Sequence, residues 1–162
     1  MKIAIVTGSS GGIGSVICQT LLDNEWFVIG LDKTKSGDIV NKNFIFKKCD
    51  LKDSNDIEST VNEIRKNYEK LSLLVNCAAV QKVNKAIDYT PQDWDETLQV
   101  NAKAPLMLSS LLQPLLFANS KKQSWSNIVN ISSIHAKVTS EGMIAYAASK
   151  AALTSITRSL SI

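Results

Sequence analysis

The sequence predicts a three-layer α/β/α domain, a doubly wound parallel sheet covered by helices on both faces. Three observations lead there. Short β-branched runs alternate with longer amphipathic ones along the chain. The short runs are apolar at consecutive positions, as strands buried on both faces must be. A glycine-rich turn, "TGSSGGIG" at 7–14, falls between the first such run and the first amphipathic one. The chain has 162 residues. A single domain of this size buries roughly 70% of its unfolded surface.

In order, "KIAIVTG" (2–8) reads as the first strand. Residues 12–24 read as a helix with Ile13, Ile17 and Leu21 on one stripe and Val16 beside it. "WFVIGLD" (26–32) and "NFIFKKCD" (43–50) read as the second and third strands. The link between them contains Gly37 and is shorter than the dozen or so residues of a parallel crossover, so it predicts a loop or a single turn. Ser54 or Asp53 caps a helix running to about Tyr68, with Ile57, Val61, Ile64 and Tyr68 inward. "LSLLVNCAA" (71–79) is a fourth strand. Thr90 is an N-cap with Pro91 at the first helical position. One long helix, or two with a bend near Pro105, continues to about Phe117. "SNIVNISS" (126–133) is a fifth strand. Residues from 145 onward form a helix in which Leu160 and Ile162 keep the apolar pattern. Trp94 and Trp125 are assigned to packing. The sequence holds no repeat, linker or low-complexity segment.

Composition narrows the function classes. Apolar residues make up 44% and charged residues 20%, ordinary for a globular protein. The net charge is only +3, and the pairs Lys47–Lys48 and Lys121–Lys122 are far apart without interleaved aromatics. No nucleic-acid partner is expected. No run approaches the roughly 20 apolar residues of a bilayer span. "KIAIV" is too short for a signal peptide. The expectation is a cytoplasmic protein with no membrane contact. The cysteines Cys18, Cys49 and Cys77 are odd in number and widely spaced, without zinc-ligand spacing. They read as free thiols in a reducing compartment, with no metal site.

The chemistry concentrates at two places. Glycines at Gly8, Gly12 and Gly14 let backbone N–H groups approach an anion, and the following helix N-terminus adds its partial positive charge. Asp32 ends the second strand, 18 residues after Gly14. A carboxylate there accepts hydrogen bonds from both hydroxyls of an adenosine ribose and repels a 2′-phosphate. This points to NAD over NADP, with the neighbouring Lys33 pulling the other way. The second place is "YAASK" (146–150). Tyr146 and Lys150 stand one helical turn apart on the same face. A tyrosine titrates near ~10, too high for proton transfer at neutral pH, and a nearby cation favours the phenolate. Alone, such a pair is common on helix surfaces.

Together these strings resemble the short-chain dehydrogenase/reductase family, in its short NAD(P)-binding branch and over essentially the whole chain. The glycine spacing fits that branch. "CDL" (49–51) resembles the family's adenine-contacting segment, which would put Asp50 at the adenine amino group. "NCAA" (76–79) occupies the place of the Asn-Asn-Ala-Gly element, with Cys77 and Ala79 as departures. "VN" (100–101) matches the helix asparagine, and "NISS" followed by "YAASK" the catalytic strand and helix. The resemblance implies a Rossmann-type domain over 1–162 that transfers hydride between NAD(P) and a secondary alcohol or ketone. It implies a catalytic set of Asn101, Ser133, Tyr146 and Lys150. Tyr146 would be the acid/base, and Lys150 would also hold the nicotinamide ribose. Ser133, 13 residues before Tyr146, would bond the substrate oxygen. Asn101 would hold a water linking Lys150 to solvent. The cofactor would meet Gly8, Ser10, Gly12, Ile13, Gly14, Asp32, Asp50, Leu51, Asn76, Ala78, Tyr146 and Lys150. His135 reads first as an exposed loop histidine, though it falls where family members shape the substrate pocket.

A doubly wound dinucleotide sheet of the common kind has six strands in the order 3-2-1-4-5-6, against five here, and the resemblance implies two further strands and a substrate lid beyond the last helix. The expectation is therefore a domain lacking the last strands of the family fold. It is either an oxidoreductase whose C-terminal part lies outside the given sequence, a short NAD-binding sensor or partner module with little catalysis, or an inactive fragment. The family pairs into homodimers or homotetramers through helices corresponding to 90–117 and 146–162, and the same is expected here.

Overall fold

The computed structural model describes residues 1–34, 39–120 and 125–161, apart from the side chains of 119 and 120. Gly37, Lys121, Lys122 and Ile162 therefore lie outside the described residues. Each apolar run forms a strand: β1 (Ile3–Thr7), β2 (Phe27–Asp32), β3 (Phe44–Lys48), β4 (Leu73–Asn76) and β5 (Asn127–Asn130). Among the described residues they make one sheet in the order β3-β2-β1-β4-β5, with every pair parallel. The direction of winding reverses between β1 and β4, the place where such sheets open a ligand crevice at their carboxyl ends.

Period-2 alternation sends the central strands' side chains to two cores. Ile3, Ile5, Ile29, Leu31 and Leu74 pack with α2 (Ser54–Asn67) and α4 (Ala104–Ser120). Val6, Val28 and Val75 pack with Cys18 and Leu22 of α1 (Gly12–Asp23). Helices on both faces of one sheet give the three layers. α5 (Ile144–Leu160) lies along β5 and against α3 (Pro91–Leu98). The expected helix starts hold. The Asp53 side chain accepts the Asn55 N–H, and Thr90 forms a capping box with Asp93, with Pro91 next. Ile57, Val61 and Ile64 are fully buried, each worth about 1.5–3 kcal/mol of burial. Tyr68 packs its ring on Phe27.

Three expectations are corrected by the structure and one is made specific. First, of the expected stripe of Ile13, Ile17 and Leu21 with Val16 beside it, Ile17 and Leu21 pack on the core, but Ile13 and Val16 are 63% and 64% exposed. The helix buries Gly14, Cys18 and Leu22. The helix phase is set by Gly14, where a Cβ would sit 2.0 Å from the Gly8 carbonyl oxygen. Only glycine lets helix and loop meet there, and that contact rotates Ile13 outward. Second, the strands are shorter than their apolar runs; β4 ends at Asn76 and β5 at Asn130. Beyond β4, residues 77–80 leave the sheet to line the crevice, and beyond β5, Ser133 caps a 3-10 turn. Third, the expected alternative of two helices broken near Pro105 holds, and the break is a π-helical turn over Gln99–Lys103. Pro105 has no N–H to give the carbonyl of Asn101 four residues back. Fourth, Trp94 is 43% and Trp125 is 89% exposed, so neither is a core side chain. Trp94 lies in the first turn of α3, a helix whose buried residue is Thr97.

Candidate functional site

The turn from β1 into α1 builds one end of the site. Gly8 has φ +68°, and a Cβ there would come within 2.8 Å of the Ala78 Cα. The loop and the 76–81 segment therefore touch backbone to backbone. The Gly11 N–H closes the turn onto the Gly8 carbonyl at 3.0 Å. The first-turn N–H groups of α1 have no acceptor within their own helix. They open onto a cleft of about 420 Å³ lined by Gly8, Gly12, Ile13 and Gly14 on one side and Asp32, Asp50, Leu51 and Ala78 on the others. At Gly12 a Cβ would meet nothing within 4 Å. The loop thus offers bare backbone donors and the positive end of a helix to the cleft, a donor set that suits a diphosphate.

Asp32 stands at the rim. Its carboxylate accepts the Ser10 N–H at 3.1 Å and the Thr34 N–H at 3.4 Å. The glycine loop and the carboxylate are thus one unit. Asp50 accepts the Lys52 N–H at 3.0 Å, while its own N–H donates to Asp56 at 2.7 Å. The Gln99 amide holds the Leu51 carbonyl at 3.1 Å. Lys33 and Lys52 also line the cleft, and Lys52 is ion-paired with Glu96 of α3.

The other end is built from β4, the π turn and α5. The Thr7 hydroxyl, buried at the end of β1, accepts the N–H groups of both Cys77 and Ala78, at 3.0 and 3.1 Å. Asn101 is fully buried in the π turn. Its Oδ1 accepts the Val80 N–H at 2.7 Å, and its Nδ2 donates to the Val80 carbonyl at 2.8 Å and to the Ser149 hydroxyl at 3.0 Å. The Val80 N–H fixes which amide atom is oxygen. Lys150 is 2% exposed and donates to the Ile131 carbonyl at 2.8 Å. Burial pushes its ammonium below the usual lysine range, partly offset by the nearby Cys77. Its Nζ stands 5.8 Å from the centre of the half-buried Tyr146 ring.

Ser133 follows β5 and caps a single 3-10 turn at Ile134–Ala136, its hydroxyl accepting the His135 N–H at 3.2 Å. That leaves the Ser133 proton to be donated elsewhere. Ser132 turns the other way, its hydroxyl sharing a 2.8 Å hydrogen bond with Thr154 of α5. The His135 ring is half-buried and meets Tyr146 edge-on, with centroids 5.8 Å apart. It is therefore a neighbour of Tyr146 and not an exposed loop residue.

Tyr146 and Lys150 stand side by side on α5, Ser133 begins the 3-10 turn whose His135 meets Tyr146, and eight of the twelve expected cofactor contacts line the cleft. Ser10, Asn76, Tyr146 and Lys150 stand apart from that lining. Ser10 contributes its N–H to Asp32, and the Asn76 amide, 3% exposed, reaches across the sheet to Asn130 at 2.8 Å. The sequence reading missed Thr7, Ser149 and the contact of His135. The small polar residue between Tyr146 and Lys150 was the visible signal for Ser149. Thr7 showed only as a hydroxyl ending an otherwise apolar strand.

Sheet order and crevice define a Rossmann-type doubly wound domain, with a dinucleotide-type loop at the first strand–helix turn. The family model for short chain dehydrogenases matches residues 2–162, and the chain belongs to that family. It is 30% identical over 166 residues to an NAD-dependent glycerol dehydrogenase of Listeria innocua, covering 99% of this chain and 64% of the relative. It is likewise 30% identical over 167 residues to the 3-oxoacyl-[acyl-carrier-protein] reductase FabG of Buchnera aphidicola, covering 99% and 66%. The chain thus spans about two thirds of the length of these relatives. Among solved structures, the aldohexose dehydrogenase of Thermoplasma acidophilum superposes with a TM-score of 0.88 at 29% identity, over 98% of this chain and 60% of that one. A metagenomic short-chain oxidoreductase in complex with NADP gives 0.86 at 27%, over 98% and 73%. Among the described residues no helix is long and apolar enough to cross a membrane.

Proposed function

We propose that this chain carries the cofactor site and catalytic residues of an NAD-dependent dehydrogenase/reductase acting on a secondary alcohol or ketone. The observation that carries the reading is the buried Lys150. Its ammonium is held against the Ile131 carbonyl beside Tyr146, one turn before it on the same helix, and Asn101 ties that helix to Val80 on the wall of the cleft that opens on the N-terminus of α1.

The bound nicotinamide supplies hydride. The chain's own groups do the rest. The loop N–H groups at Gly12–Gly14 hold the diphosphate, with Gly8 and Ala78 keeping the loop in place and the exposed Ile13 covering it. Asp32 takes the adenosine ribose hydroxyls, and its charge favours NAD over NADP. Lys33 beside it offsets part of that preference. Asp50 and Leu51 flank the adenine. Ser10 acts through its N–H on Asp32, and Asn76 through its place beneath Cys77.

At the reacting end, Ser133 donates its hydroxyl proton to the substrate oxygen. Tyr146 Oη gives its proton to that oxygen in reduction and takes it back in oxidation. Lys150 sets the charge around the phenol and holds the nicotinamide ribose. Asn101's side-chain amide is engaged with Val80 and Ser149. We therefore assign the water of the proton relay to its backbone carbonyl, to which Pro105 has no N–H to offer. A second copy of the chain, in a homodimer or homotetramer, would cover the outer faces of α4 and α5, where Leu106 and Leu160 are 39% and 46% exposed.

The test is NADH binding by fluorescence, followed by turnover on a panel of aliphatic, cyclic and hydroxy ketones. Saturable binding with reduction of at least one ketone is expected. Absence of NADH binding refutes the assignment of the cleft.

A further inference from the structure

Three segments far apart in sequence converge on one buried amide. Val80 lines the cofactor cleft, and Asn101 grips both its N–H and its carbonyl. The second proton on Asn101 Nδ2 goes to Ser149 Oγ at 3.0 Å, and Ser149 in turn donates to the Tyr146 carbonyl at 2.7 Å. Both Asn101 and Ser149 are 0% exposed. The Ser149 hydroxyl is thus used as donor and as acceptor, and it is the direct side-chain bridge between the π turn and the tyrosine's own helical turn. A hydroxyl facing the previous turn of its helix usually serves only that turn. Here the same oxygen receives a bond from another element, in a site closed to water, where a lost partner leaves a buried donor unsatisfied.

We propose that Ser149 is a positioning residue: its hydroxyl ties the Tyr146 turn, through Asn101, to Val80 on the wall of the cofactor cleft. It touches neither cofactor nor substrate. Its effect is to couple the placement of the phenol to the wall against which the cofactor packs. The inference rests on the reading of Tyr146 as the acid/base.

The test is Ser149→Ala in the full chain, with three measurements. The first is backbone amide exchange by NMR, with and without NADH. The second is the Tyr146 ring resonance, assigned by its loss in Tyr146→Phe. The third is the split between kcat and the KM for NADH. The proposal expects Val80 N–H exchange to rise about fivefold, the loss of one net hydrogen bond. It expects the NADH-dependent shift of the Tyr146 resonance to shrink by at least half. It also expects kcat to fall by about tenfold to a hundredfold, as for a reacting group moved by a fraction of an ångström to 1 Å, with the KM for NADH within about twofold of wild type. A purely structural role for Ser149 lowers the melting temperature but leaves the Val80 exchange and the NADH-dependent Tyr146 shift as in wild type. That result overturns the proposal. Should the alanine variant fail to fold, Ser149→Cys, which keeps the volume and weakens both bonds, is read by the same criteria. If the wild type reduces no ketone, the proposed function fails on its own terms. The Val80 and Tyr146 signals still decide whether Ser149 makes the link.

Discussion

Alanine at Gly12 and alanine at Gly14 should change stability in opposite directions while both weaken dinucleotide binding. Both glycines sit in the first turn of α1, and both line the cleft. At Gly14 the new methyl would lie 2.0 Å from the Gly8 oxygen and 2.7 Å from the Gly8 carbonyl carbon. Ordinary contact is near ~3.5 Å, so the backbone must open by roughly 1.5 Å. Backbone cannot swing aside as a side-chain tip can. Overpacking of this kind costs about 1–3 kcal/mol, against a gain of up to ~1 kcal/mol in helix propensity. The net is a loss of about 1–2 kcal/mol, a fall in Tm of roughly 2–8 °C for a domain of this size. At Gly12 nothing lies within 4 Å of the added methyl. There the reduced freedom of the unfolded chain should raise stability by about 0.4–1 kcal/mol. Yet that methyl points into the space where backbone donors must reach a diphosphate, so NADH affinity should fall at least tenfold. The assay is a thermal melt and an NADH titration on each variant. Gly12→Ala binding NADH as wild type does would refute the placement of the diphosphate. Gly14→Ala melting at or above wild type would refute the close-contact account of the loop.

Three further outcomes follow from the same geometry. Asp32→Ala should narrow the NAD-over-NADP ratio of affinities and loosen the loop by freeing the Ser10 N–H; an unchanged ratio sinks the ribose assignment. Burial lowers the Lys150 pKa, so between its native value and the ordinary lysine value the unfolded chain binds more protons. Stability should therefore rise with pH through that window, and Lys150→Met should flatten the rise; equal slopes in denaturant titrations at several pH values contradict the buried ammonium. Burial also pushes the thiols of Cys18 and Cys49 up to about 12 and about 11, and raises that of the half-buried Cys77. A thiol reagent should then modify Cys77 first in the folded protein, and NADH should slow it; modification of Cys18 at the same rate would contradict the packing of α1.

The order of strands and helices was legible because it rests on local pattern. Consecutive apolar residues mark β1 and β2, and Thr90 with Pro91 marks the start of α3 whatever the rest of the chain does. The phase of α1 was only half legible: Ile17 and Leu21 of the apolar stripe pack on the core, but Gly14 is placed by contact with Gly8, and that turns Ile13 and Val16 outward. The strand ends were missed for a related reason. Residues 77–80 and Ile131 keep the apolar character of a strand but are drawn off by Thr7, Asn101 and Lys150. Tyr146 and Lys150 announce themselves by spacing within one helix. Ser149 and Thr7 do not, since their partners lie 48 and about 70 residues away. His135 shows the limit most plainly. Nothing in "SSIHAK" says that the ring folds back onto Tyr146, because the 3-10 turn that brings it there is closed by its N–H on Ser133.

Tyr146 should move the proton while the cleft independently holds the cofactor. Single-turnover oxidation of bound NADH by a ketone that the wild-type chain reduces, compared between wild type and Tyr146→Phe, tests it most directly. The variant should bind NADH within about twofold of wild type and lose at least about a hundredfold in the rate of turnover, the scale of general acid catalysis. Turnover by Tyr146→Phe at the wild-type rate would contradict it.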